Sequence, residues 1–201
     1  YMGDGDGKIL IDSRNGLQRL DYGDGGFAGL TRPILAQANP LSDIYANTNN
    51  VNGNTFNGVG TVEIRFLKDF KFTSTNSVYL DEDRDIFVRN PWYGQFASSK
   101  GISNIQHNLR WSYNYQQLLN WHRTFGLHEI DAMLGHEYYR TRGYALVGSK
   151  NNMFSNSYTE LSGAVTMQNV NSSRSDYNTE GFFGRVNYSY ADKYFGELSY
   201  R

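Results

Sequence analysis

The sequence predicts an all-β protein, an arc of an antiparallel transmembrane β-barrel that is itself a fragment of a larger barrel. Three observations carry that prediction. First, residues 182–190 and 194–201 alternate. Phe182, Gly184, Val186, Tyr188, Tyr190, Tyr194, Gly196, Leu198 and Tyr200 are apolar or aromatic. Of the positions between them, Arg185, Asn187, Ser189, Glu197, Ser199 and Arg201 are polar and only Phe183 and Phe195 are not. Period-2 alternation puts the two sets on opposite faces of a strand, and charges stand where a soluble sheet would have its core. Lipid on one side and water on the other suits that pattern. Second, the connections alternate tight turn, long loop, tight turn, long loop, tight turn, as in outer-membrane barrels. Third, no run approaches the ~18 apolar residues of a membrane helix, so a membrane crossing has to use a closed barrel.

Composition narrows the rest. The chain has 201 residues, enough for one domain with a real core, and 19 basic against 20 acidic side chains, a balance that offers nothing to nucleic acid. It has no cysteine, which removes disulfides, Cys-based zinc sites and thiol nucleophiles. Sixteen Tyr, twelve Phe and three Trp favour surfaces that are apolar at one end and wet at the other. No secretory signal opens the sequence, which is expected to be an internal piece of something longer.

Residues 1–58 are rich in Gly, Asn and Asp without a sustained period, and are expected to form a long, extracellular loop region with at most short local strands. Six antiparallel strands are expected after it. Residues 59–67 alternate Val62, Ile64 and Phe66 against Thr61, Glu63 and Arg65; Lys68 and Asp69 turn the chain; 70–80 return. Residues 81–102 read as a long polar loop. Strand 103–120 sets Ile105, His107, Leu109, Trp111, Tyr113 and Tyr115 against Gln106, Asn108, Arg110, Ser112, Asn114 and Gln116. A turn falls near residues 122–126. Strand 127–141 sets Ile130, Ala132, Leu134 and Tyr138 against Glu129, Asp131 and Glu137. A second long loop covers 142–179. Strands 180–190 and 194–201 close the chain around Ala191, Asp192 and Lys193. The three prolines fall outside strand interiors, as ladder hydrogen bonding requires. Single-chain barrels start at about eight strands, so six make one arc.

Several blocks carry a resemblance: NPLSDIY (39–45), RFLKDFKF (65–72), TFGLHEIDAMLGHEYY (124–139), YTELSGA (158–164) and FFGRVNYSYADKYFGELSYR (182–201). In order and spacing they resemble the barrel of SusC/RagA-like TonB-dependent outer-membrane transporters of the Bacteroidetes. The resemblance implies a barrel of about twenty-two strands around a plug. It implies a SusD-like surface lipoprotein as a lid, energy drawn through TonB, import of oligosaccharides or peptides, a wall bathed in outer-membrane lipid, and possible pairing of two transporter–lid units. It implies no enzyme activity and no cofactor. The plug and the TonB-contacting segment are not among these residues.

Site chemistry is sparse. His136-Glu137 begins a near miss to H-E-x-x-H, but the second His is missing and i, i+4 residues on a strand lie far apart. GDGDGK (3–8) lacks the spacing of a phosphate loop and the ligands of an EF-hand, and reads as a Gly/Asp turn. His107, His122, His128 and His136 are spread over one hairpin, and those on the apolar face by parity are expected near the membrane interface rather than as ligands. No metal and no catalytic residue is expected. Glu129 and Asp131 share a face, as lining of a polar channel. Asp81 to Asp85 form a charge run in the proposed external loop, with solvation, cation binding and contact to the lid protein as alternatives. Arg89, Trp92, Tyr93 and Phe96 cluster in a loop, where they either contact substrate by stacking or pack the loop onto itself or the lid. Glu63, Arg65, Arg110, Glu129, Asp131, Glu137 and Arg185 are expected to face the lumen. The rival class is a secreted, soluble β-sandwich that binds carbohydrate through exposed aromatics; it would bury its alternating faces in a dry core.

Overall fold

The computed structural model describes residues 3–4, 6–13, 16–22, 33, 39–155 and 157–201. One helix, α1 (Pro40–Ala46), precedes six strands: β1 (Thr48–Phe66), β2 (Phe70–Arg89), β3 (Ile102–Phe125), β4 (His128–Met153), β5 (Ala164–Tyr190) and β6 (Tyr194–Tyr200). They form one sheet in chain order, β1 to β6, with a single 3-10 turn (Leu161–Gly163) before β5. A sandwich needs two facing sheets, so the soluble-sandwich alternative fails on the topology of the described residues.

The strands are longer than the alternation indicated. The loop expected over 81–102 is strand as far as Arg89, and the loop expected over 142–179 is strand except for 154–163. The region 1–58 likewise contains α1 and the start of β1. For residues 48–58 and 165–179 the physical reason is the same. Period-2 hydropathy marks a strand only where one face meets an apolar medium, and NTNNVNGNT or NSSRSDYN has polar groups on both faces. α1 had a local signal: Asn39 is the N-cap, its side chain accepting from the amides of Leu41 and Ser42, and Pro40 takes the first helical position.

Three tight turns join the hairpins. Leu67 and Lys68, like Ala191 and Asp192, take left-handed backbone angles with φ between 48° and 60°. Consecutive left-handed residues match the twist of the flanking strands. Gly126 (φ 62°) with Leu127 makes the two-residue turn between β3 and β4. Across the last hairpin Val186 pairs with Leu198, Asn187 with Glu197 and Tyr188 with Gly196, so even residues face even and odd face odd.

The chain divides into two compact units. The first comprises Tyr1–Asn52, Arg84–His107 and Leu146–Ser172, and holds both long connections. The buried apolar side chains among the described residues lie here: Ile86, Val88, Met153 and Ala164 form one cluster, with Tyr22 and Tyr93 as a stacked pair 5.3 Å apart. Burial pushes the Tyr22 phenol up to about 12, so it stays a neutral hydroxyl and donates to Ser42. Gly101 (φ 79°) closes the β2–β3 connection, its amide donating to the Phe96 carbonyl at 2.9 Å. A Cβ there would lie 2.8 Å from the Arg89 carbonyl oxygen. Gly101→Ala is therefore expected to destabilise this connection by about 1–3 kcal/mol. Limited proteolysis should show faster cleavage between residues 90 and 101.

The second unit comprises Gly53–Asp83, Asn108–Ala145 and Ser173–Arg201, and holds the three tight turns. Its large apolar side chains are uncovered: Leu134 is 66 % exposed, Phe182 68 % and Leu198 74 %. They lie on one face, and that face is zoned. Toward the turns sits an aromatic group, with Phe66 on Phe70, Trp121 against Phe70 and Phe125, and His128 on Tyr188 and Tyr190. Farther along come Ile130, Leu134, Phe182 and Val186, and then a second aromatic group of Trp111, Tyr113, Tyr115 and Tyr138, with ring centroids 5.6–5.9 Å apart.

Candidate functional site

The opposite face of the second unit is polar and charged. On β1 and β2, Glu63 pairs with Arg65 at 3.0 Å and with Lys71 at 3.6 Å. On β3 and β4, His122 Nδ1 lies 2.7 Å from Asp131 and 3.9 Å from Glu129. Their ligand atoms lie within 4.8 Å of one another, a set that offers one nitrogen and two oxygens to a divalent cation. Farther along β4, Glu137 is 3.5 Å from Arg201 and lines a hollow of about 490 Å³ with Arg185 and Glu197. A second hollow, of about 500 Å³, is lined by Asp81, Asp83, Asn108, Arg110, Ser173 and Ser175. Within its lining Asn108 donates to Asp83 at 2.7 Å; Asp81 accepts from Thr55 of β1 at 2.8 Å.

The seven side chains singled out by parity thus fall into four groups. Glu63 and Arg65 are together, as are Glu129 and Asp131; Glu137 and Arg185 line one hollow, and Arg110 the other. His122, Lys71, Asp81 and Asp83 complete the groups and were not among the expected residues. A signal for the two Asp existed. Asp81, Asp83 and Asp85 continue the odd phase of β2 that begins at Lys71, so these three are strand residues in register with the polar face and not loop residues.

The near miss at His136-Glu137 is split between faces. His136 stacks on Phe182 (4.5 Å) and hydrogen-bonds Glu180 at 2.8 Å, while Glu137 reaches Arg201. Asp4 accepts from the amides of Asp6 and Lys8 at 3.0 and 2.8 Å, so its carboxylate closes a turn.

In the first unit the cluster Arg89, Trp92, Tyr93 and Phe96 is divided. Arg89 ends β2 with its guanidinium 3.9 Å above the Phe87 ring. Asn90 bonds Asn47 through its amide and side chain, both at 2.9 Å, and accepts from the amides of Trp92 (3.1 Å) and Tyr93 (2.8 Å). That Asx turn aims Tyr93 inward, where its hydroxyl donates to Asp12 at 2.7 Å. Tyr93 is consequently a packing residue and not an exposed stacking platform. Trp92 and Phe96 remain half-buried.

No protein-family model and no curated protein matches the chain. Solved structures do. The chain is similar to the RagAB peptide transporter, with 16% identity, a TM-score of 0.71 and 96% of this chain covering 20% of that one. The RagAB peptide importer in its open-open state gives 20% identity and a TM-score of 0.73 over 99% of this chain and 22% of that one. In the closed-closed state the values are 19%, 0.70, 85% and 18%. This chain spans about a fifth of the length of those structures. At such identity the likeness is one of fold. With its single antiparallel sheet, which in the second unit is apolar on one face and charged on the other, the chain has the fold of one stretch of a transmembrane β-barrel wall.

Proposed function

We propose that this chain is part of the wall of a TonB-dependent outer-membrane importer for large nutrients, oligosaccharides or peptides, working with a SusD-like surface lipoprotein. The uncovered apolar face of the second unit supports this most directly. Leu134, Phe182, Val186 and Leu198 with flanking aromatics make a face that needs an apolar solvent, and lipid is one. Glu63, Arg65, Arg110, Glu129, Asp131, Glu137 and Arg185 then face the lumen, where an import path needs hydrated, hydrogen-bonding groups. The long connections lie outside the cell and the tight turns on the periplasmic side. Arg89, Trp92 and Phe96 stand at the mouth as candidate contacts to substrate or lid. The polar wall supplies hydration and no catalysis; transport energy comes through parts of the transporter beyond this stretch.

Uptake of fluorescent peptides and oligosaccharides by cells expressing the full-length protein tests the reading. Uptake should depend on the protein and stop when a protonophore collapses the inner-membrane gradient. A surface lipoprotein should co-purify. Uptake that continues without the gradient would overturn the TonB-dependent reading.

A further inference from the structure

We infer that the apolar face carries a binding site for the phosphate headgroup of an outer-leaflet lipid, built from Arg140, Arg142 and Arg174. The three sit on β4 and β5 around one carboxylate. Arg140 grips Asp176 with two hydrogen bonds (3.0 and 2.7 Å), Arg142 adds a third through Nε (2.9 Å), and Arg174 lies 3.6 Å away. Aromatic rings of the apolar face hold two of the guanidinium groups: Arg142 stands 5.4 Å above Trp111 and Arg174 5.5 Å from Tyr144. The cluster therefore belongs to the apolar face and not to the charged one.

Three guanidinium groups against one carboxylate leave an excess of two positive charges, which suits a phosphomonoester of about −1.5 to −2. The Arg142 bond runs through Nε and the Arg174 contact is long, so most of their N–H donors lie outside the ion pair. The next carboxylate along β5 on this face, Glu180, is engaged by His136.

Position makes the ligand a lipid. Along β4 the first aromatic group lies at His128 and the second at Tyr138. Ten residues of strand at ~3.4 Å each, tilted by roughly 40°, span a height of about 26 Å, which matches an apolar band of ~25 Å between aromatic girdles. Arg140 and Arg142 come directly after Tyr138, on the side of the long connections, so they stand at headgroup level in the outer leaflet. Arg at mid-membrane would be costly; just past a girdle it faces phosphate.

The inference rests on the lipid-facing reading above, and its test separates the two. Full-length protein is delipidated in detergent and titrated in native mass spectrometry with lipid A carrying its phosphates, with enzymatically dephosphorylated lipid A, and with inorganic phosphate. Phosphorylated lipid A should bind at least about tenfold more tightly than the dephosphorylated form, since each basic side chain near an anionic headgroup contributes roughly fivefold. Inorganic phosphate alone should bind far more weakly. Arg174→Gln, which leaves the Arg140–Asp176 pair intact, should lose part of the preference, and Arg140→Gln/Arg142→Gln/Arg174→Gln nearly all of it. Arg185→Gln, on the opposite face, should keep it. Equal binding of the two lipids by the unmutated protein overturns the phosphate site while leaving the lipid-facing surface standing. Binding of inorganic phosphate as tight as that of lipid A overturns the lipid assignment.

Discussion

Val186→Arg in the full-length protein should insert into the outer membrane poorly, while Asn187→Arg inserts normally. The two positions are adjacent on β5, pair with Leu198 and Glu197 on β6, and point to opposite faces. Val186 is 43 % exposed and lies across from Leu198 on the apolar face, with Gly184 between it and Phe182 along β5. Arg on that face at mid-membrane costs about 2–4 kcal/mol. Asn187→Arg places a cation beside Glu197, where a new ion pair in a wet environment is worth at most about 1 kcal/mol. Quantitative insertion, read by heat-modifiable migration and protease protection of outer-membrane fractions, distinguishes them. Equal insertion would mean that the apolar face is covered by protein, and the barrel-wall reading would fall with it.

The difference between these two neighbours was legible in the sequence because lipid and lumen impose opposite demands on alternate residues. The same logic set the limits of legibility. Strands were visible where one face is greasy, as in Phe182 to Leu198, and invisible where both faces are wet, as in residues 48–58 and 165–179. The charged groups were recoverable by parity for Glu63 and Glu129, while their partners Lys71 and His122 were not singled out, since pairing depends on cross-strand register, which parity does not supply. Arg140 and Arg142 show a further limit. They break the apolar phase of β4, and hydropathy alone ends the strand there. In the structure the strand continues and the change marks the edge of the apolar band.

Tyr93→Ala should loosen the β2–β3 connection by about 3–5 kcal/mol, as for a large buried aromatic. Its ring stacks on Tyr22, its hydroxyl bonds Asp12, and its amide is held by Asn90. Tyr93→Phe keeps the stack and removes the bond to a buried carboxylate, for roughly 1.5–3 kcal/mol. Trp92→Ala and Phe96→Ala remove half-buried rings and should cost about 1 kcal/mol or less. Proteolysis kinetics and substrate uptake, measured on all four variants, separate packing from recognition. Tyr93 variants should lose protease resistance first, with uptake falling in proportion to intact protein. If Trp92 and Phe96 contact cargo, their variants lose uptake at unchanged protease resistance. A Tyr93→Ala protein as resistant as the parent would show that the Asx turn at Asn90 holds the connection by itself, because its hydrogen bonds to Asn47 and to the Trp92 amide do not pass through the tyrosine ring.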